Sequence, residues 1–149
     1  MPSVQEMSDR FDIQQLIIDY ANALDQGKID LWDDVFTPDA FIDYSVYGGA
    51  KGRYPEVKAW IQKVMPSFKN FQHMVGNMQI RITGDTATGR TVCFNPMECD
   101  VGGGKTQVMF LGLWYVDKYV RTPKGWRIAE RVEEKCYDHN VPTSVSIGS

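Results

Sequence analysis

The sequence is poor in the residue types that announce common kinds of site. It has three cysteines, Cys93, Cys99 and Cys136, odd in number and without Cys-x-x-Cys spacing. That excludes a disulfide framework and a zinc knuckle, and leaves the three as small apolar residues. Histidine occurs only twice, at His73 and His139, so a His-rich metal site is excluded and no metal is expected. There is no long basic run, and the formal net charge is −3. Nucleic acid is therefore not an expected partner, because phosphate binding needs clustered Lys and Arg. No apolar stretch approaches the roughly 20 residues that cross a bilayer, so no membrane partner is expected. The opening residues, MPSVQEMSDR, lack the basic start and apolar run of a signal peptide, and a cytoplasmic location is the expectation.

What is present is the material of an ordinary core: 43% hydrophobic residues against 23% charged, in 149 residues. The first helix is marked by Ile13, Leu16, Ile17, Tyr20 and Leu24 at three- and four-residue steps, with Ser8 or Asp9 as its cap and Gly27 as its end. A short second helix is expected from Asp30, burying Leu31, Trp32, Val35 and Phe36 and stopping before Pro38. Ala40 to Tyr47 reads as a strand and Gly48-Gly49 as a turn. A third helix has Pro55 in its first turn, carries Val57, Trp60, Ile61 and Val64, and ends near Pro66.

Long strands follow: 71–83, 87–100, 105–121 and 125–137, separated by Gly84-Asp85, Gly102-Gly103-Gly104 and Pro123-Lys124-Gly125. Helices first and a meander afterwards imply an α+β fold rather than alternating βαβ units. The expectation is one domain over residues 1–149, a cone with three N-terminal helices on a strongly curved, mainly antiparallel sheet. Residues 138–149 read as a loose or partner-docked extension. A curved sheet wrapped by helices tends to enclose one small ligand.

Several residues could carry chemistry inside such a cone. Tyr20 shares the buried stripe of the first helix, so its hydroxyl needs a partner or must reach the surface. Asp25 lies at the helix C-terminal end, where the backbone dipole disfavours a carboxylate; a base, an orienting group and a solvated surface acid all fit. His73 falls in a predicted strand whose one face carries Phe71, His73, Val75 and Asn77. If a carboxylate meets one ring nitrogen, the other can take a substrate proton; otherwise His73 is structural. In the last strand Arg127, Ala129 and Arg131 alternate against Trp126, Ile128 and Glu130, so either Glu130 or Arg131 points inward. An interior Arg131 would stabilise developing negative charge. Tyr44 and Tyr47 lie on opposite faces of a regular strand, so at most one lines the interior. Asn95, beside Pro96, suits a bulge, and both a cavity-facing amide and a turn role fit.

With these residues in place, the pattern resembles the SnoaL-like branch of the nuclear-transport-factor-2-like superfamily, which includes scytalone dehydratase, bile acid 7α-dehydratase and hexachlorocyclohexane dehydrochlorinase. The resemblance runs from Phe11 to about Tyr137. It rests on LDQGKIDLW at 24–32, FIDY at 41–44, FQHMVG at 71–76, and an arginine, Arg131, five residues after the last-strand Trp126. Tyr20 matches the bile acid enzyme in particular. Two departures count: the 105–116 strand has no histidine to match the second one of scytalone dehydratase, and Tyr44 stands where ketosteroid isomerases carry an aspartate base.

The resemblance implies a cofactor-independent lyase, a dehydratase by preference, acting on a cyclic, mostly apolar small molecule. His73 oriented by Asp25 would remove a proton. Tyr20 and Tyr44 would hold an oxygen, Arg131 would steady negative charge, and Trp60, Phe68, Asn95, Met109 and Phe110 would line the pocket. An isomerase or cyclase with the same base is the first alternative, and a non-catalytic binder or assembly subunit the second. The binder predicts Asp25 and His73 apart, or a filled interior. Family habit also implies a homo-oligomer, trimer or dimer.

Overall fold

The computed structural model describes residues 1–145. Helix α1 spans Val4–Asp25 and strand β1 Phe36–Asp43, with a 3-10 turn at Ile29–Asp34 between them. After a second 3-10 turn, Ser45–Tyr47, come β2 (Lys51–Arg53), α2 (Tyr54–Val64) and β3 (Phe68–Phe71). Strands β4 (Met74–Thr83), β5 (Thr86–Gly102), β6 (Lys105–Thr122) and β7 (Gly125–His139) complete the fold. The 7-stranded sheet has the order β2-β1-β7-β6-β5-β3, with β4 also paired to β5. Among the described residues only β1 and β7 run parallel; the other pairs are antiparallel. The sheet curves without closing, an α+β architecture with α1 and α2 over its inner face.

α1 begins earlier than expected, at Val4, with Ser3 rather than Ser8 or Asp9 as its cap. The Ser3 hydroxyl accepts from the Glu6 N–H at 3.1 Å, the start of a Ser-x-x-Glu box. Asp9 is not a cap but a buried mid-helix anchor. It accepts both terminal nitrogens of Arg121 (2.8 and 2.7 Å) and the Trp126 indole N–H (3.0 Å). These bonds tie α1 to β6 and β7 and hold the Asp9 carboxyl well below the usual carboxylate range. Gly27, in the left-handed region at φ 69°, stops the helix.

Three further expectations are corrected. The second helix is a single 3-10 stretch, although Trp32 is fully buried against Tyr20, rings stacked at 4.6 Å. The first strand ends at Asp43 rather than Tyr47, because Asp43 Oδ1 takes the Ser45 N–H (2.9 Å) and hydroxyl and turns the chain. Tyr44 and Tyr47 thus leave strand geometry, and both are buried. The tail is less loose than expected: β7 continues to His139, Asn140 bonds Val108 O at 2.8 Å, and Val145 packs on the core. Residues 146–149 of the expected extension lie outside the described residues.

A one-residue bulge in β7 decides which charges enter the interior. Lys118 pairs with Glu130 and Tyr119 with Ile128, leaving Ala129 as the extra residue. Strict alternation would place Arg131 opposite Trp126 and Ile128. The bulge resets the phase: Trp126, Ile128 and Arg131 are all buried, and Glu130 turns out to pair with Lys118 at 2.9 Å. Among the described residues no helix is long and apolar enough to cross a membrane.

Candidate active site

The sheet is broken where His73 sits. β3 ends at Phe71 and β4 begins at Met74, so Gln72 and His73 lie between strands rather than within one. Asn95 of β5 holds the break, its side-chain amide donating to Gln72 O at 2.7 Å, while Gln72 N–H donates to Pro96 O at 3.1 Å. Leaving the ladder frees the His73 backbone N–H, and Asp25 takes it. One carboxylate oxygen accepts that N–H at 2.8 Å and the other meets the ring Nδ1 at 2.7 Å. Two donors from one residue thus offset the unfavourable field at the end of α1. With Nδ1–H committed to the carboxylate, Nε2 keeps the lone pair of the neutral ring.

His73 lines a cavity of about 250 Å³, near the small end of ligand sites, which run from about 300 to 1,000 Å³. Leu24, Trp60, Ile61, Phe68, Met97 and Met109 form much of its apolar wall. Tyr20, Tyr44, Asn95, Tyr115 and Glu133 add polar groups, and Val145 reaches it from the C-terminal segment. A larger groove of about 530 Å³ backs on the same wall through Leu24, Ile61, Met65 and Phe68, but His73 and the tyrosines do not open into it.

The Tyr20 and Tyr44 hydroxyls hydrogen-bond to each other inside the cavity. Burial raises Tyr20 to about 12, against the pull of the nearby Arg131 charge, and carries Tyr44 and Tyr115 well above the ordinary phenol value. These phenols are neutral donors near pH 7, not bases. Tyr47 is occupied elsewhere, its hydroxyl donating to Gly112 O at 2.6 Å and lying 3.0 Å from Tyr137 O.

Arg131 is completely buried but does not line the cavity. Its guanidinium is sandwiched between the rings of Tyr20 (4.2 Å) and Tyr115 (4.0 Å). Nε and Nη2 make a two-pronged pair with Asp117 at 2.8 Å each, and Asp117 also accepts the Tyr119 hydroxyl at 2.8 Å. Burial opposes the charge, yet Asp117 outweighs it and keeps Arg131 protonated. Among the described residues Nη1 alone of its nitrogens has no partner. Arg131 therefore acts on the cavity through the tyrosines. Phe110, expected in the wall, is on the other face of β6: Met109 points in, while Phe110 stacks on Phe94 at 5.9 Å.

Sequence reasoning passed over Glu133, Tyr115 and Asp117. The available signal was period-two spacing, Arg131-x-Glu133 on one strand and Tyr115-x-Asp117-x-Tyr119 on its neighbour, which put each set on one face. Among the described residues there is no cluster of three His, Cys, Asp or Glu side chains placed for a metal, and Cys93, Cys99 and Cys136 are all free.

A SnoaL-like domain profile matches residues 5–132 of the chain. The chain belongs to the SnoaL-like family. Its relatives include the uncharacterized protein Rv2910c of Mycobacterium tuberculosis, 54% identical over 137 residues and aligned over 92% of each chain. Among solved structures, this SnoaL-like chain resembles a candidate scytalone dehydratase from Novosphingobium aromaticivorans (TM-score 0.78, 18% identity, 95% of this chain and 93% of that one). It also resembles the hexachlorocyclohexane dehydrochlorinase LinA-type3 from Novosphingobium barchaimii (TM-score 0.76, 19% identity, 92% of each chain). These two likenesses establish the cone fold, in a family whose structural neighbours include dehydratases and dehydrochlorinases.

Proposed function

We propose that the protein is a cofactor-independent lyase that eliminates water from a small, cyclic, mostly apolar molecule, with His73 as base and Asp25 as its orienting partner. The observation that carries this reading is the double hold of Asp25 on His73, at Nδ1 and at the backbone N–H, beside a largely apolar cavity. A histidine fixed in this way has one nitrogen left for substrate. General-base removal of a proton next to a carbonyl needs no more than this. The electron pair passes into an enolate whose oxygen would accept from the neutral Tyr20–Tyr44 pair, in which one hydroxyl donates to the other and one O–H is left for substrate. Arg131 polarises Tyr20 from behind its ring, as a positioning residue, and reaches the substrate only through it. The names of the two structural neighbours, a dehydratase and a dehydrochlorinase, are in keeping with elimination.

An isomerase or cyclase would use the same base and the same phenol pair, returning the proton instead of expelling an oxygen. Incubating the purified protein with a panel of cyclic β-hydroxy ketones, and following enone absorbance with mass spectrometry, separates the two. Loss of water supports the lyase. Rearranged product of unchanged mass supports the isomerase, and no change in any panel member refutes both.

Tyr44→Phe removes one neutral hydrogen bond while Tyr20 remains. The expected cost is about 0.5–1.5 kcal/mol of transition-state stabilisation, up to about tenfold in kcat/KM, with the fold intact. A loss beyond about a thousandfold would mean that Tyr44 is itself a proton carrier.

A further inference from the structure

The same β7 bulge that turns Arg131 inward also brings Glu133, two residues on, to the inner face. Glu133 pairs in register with Tyr115 of β6 and lines the cavity with His73, Tyr20 and Tyr44. It is half-buried and belongs to the cavity wall. Among the described residues no hydrogen bond or ion pair engages it, whereas Glu130 and Glu134 on the same strand are both paired at 2.9 Å. A carboxyl placed in a largely apolar cavity without a partner is costly in its charged form. Such a group is held neutral, and a neutral carboxyl is a proton donor.

We propose that Glu133 is the acid of the reaction, protonating the leaving oxygen while His73 takes the carbon-bound proton. This rests on the elimination reading above. The two groups come from different parts of the wall: Glu133 is on β7 and His73 at the β3–β4 break. The order β7-β6-β5-β4 separates them by three inter-strand steps of about 4.8 Å each along the curved sheet. Base and acid therefore address different atoms of one substrate, with the Tyr20–Tyr44 pair on the same cavity. His73 Nε2 takes the proton from the carbon next to the carbonyl, and the C–H pair forms the enolate. As the enolate collapses to the enone, the C–O bond breaks with its pair on oxygen. The Glu133 proton goes to that oxygen and water leaves. The imidazolium then gives its proton to solvent and the Glu133 carboxylate takes one back from solvent as water leaves, so the cycle closes without net change in charge.

The electrostatics agree with the geometry. Burial lifts the Glu133 carboxyl to about 8; Arg131 on its own strand pulls the other way, and the Asp43 carboxylate of β1 adds to the rise. The other titratable groups around it are Tyr20 of α1, Tyr44 and Tyr47 after β1, Tyr115 of β6 and Cys93 of β5, all affected by its charge. All five are neutral near pH 7. A carboxyl whose folded value stands above its unfolded value, about 4.3, binds more protons when folded. Stability at this group is therefore intact below about pH 4 and is lost as pH rises toward 8. Glu133→Gln, which cannot ionise, should gain on the wild type in thermal midpoint across that window.

The test uses Glu133→Gln and wild type on cyclic β-hydroxy ketones and on their β-chloro counterparts, since chloride leaves without a proton. The expected result is a loss of at least about 10²-fold on the hydroxy substrates and less than about tenfold on the chloro ones. Wild-type dehydration should also fall above about pH 8 while dechlorination does not. Equal losses on both substrates, or none on the hydroxy ketones while His73→Ala is inactive, would overturn the acid role and leave the elimination reading standing. If the wild type converts neither class, the elimination reading itself fails. Carbon-13 NMR of the glutamate carboxyls decides the protonation independently of turnover: a signal absent from Glu133→Gln should titrate near pH 8, and titration near pH 4 to 5 would refute a neutral Glu133.

Discussion

His73→Ala should fold normally and lose about 10²–10⁴-fold in turnover, the range that a positioned general base contributes. The fold is expected to survive because His73 stands outside the strand ladder. Its backbone N–H, which reaches Asp25, is retained in alanine, and the Asp25 side chain, 24% exposed, can hydrate the oxygen left free. Asp25→Asn should lower activity by a different route. The amide no longer selects the Nδ1–H tautomer, so Nε2 ceases to be the acceptor in part of the population. Circular dichroism and thermal midpoint measured beside turnover separate these effects from misfolding. Unchanged turnover in a folded His73→Ala protein would end the proposal that His73 is the base.

Asp117→Ala is expected to be the most destabilising single change near the site. Arg131 and Asp117 have fully buried side chains bonded to each other at 2.8 Å twice, and Arg131 already has one unpartnered nitrogen. Removing the carboxylate leaves a charge with no route to water. Breaking such a pair costs about 3–5 kcal/mol, a large share of the roughly 5–15 kcal/mol that holds a typical domain together. Urea denaturation should show the midpoint falling accordingly. The double variant Asp117→Leu with Arg131→Met should recover much of the loss, since no unpaired buried charge remains. A cost under about 1 kcal/mol for the single change would mean that Arg131 reaches water after all. Arg131 also presses on the Tyr20 ring, so Asp117→Ala should lower turnover in whatever fraction stays folded.

The elements were legible because their patterns are local. The helical stripe from Ile13 to Leu24, the glycine stop at Gly27 and the glycine turns between long strands each declare themselves within a few residues. The strings around Asp25 and His73 pointed to a shared site, and the two residues do meet. What was misread concerns breaks in regular structure. The turn after Asp43 brings both Tyr44 and Tyr47 inward, and the gap at Gln72 and His73 interrupts what reads as one strand. Phe110 is a different case: it lies on the outer face by plain alternation with Met109 in a regular stretch of β6.

By itself the sequence determined the order of helices and strands, the apolar stripe of α1 and the glycine stops, because propensity and periodicity act over one or two turns of chain. Only the tertiary structure decided which charges face inward. In β7 the period-two pattern alone puts Glu130 on the face of Trp126 and Ile128, and one extra residue, Ala129, opposite β6 puts Arg131 there instead. That choice depends on the energy of burying a cation between Tyr20 and Tyr115 with Asp117 waiting on the next strand. Those partners come from distant parts of the chain, and no local pattern carries their meeting. The same bulge carried Glu133 into the cavity.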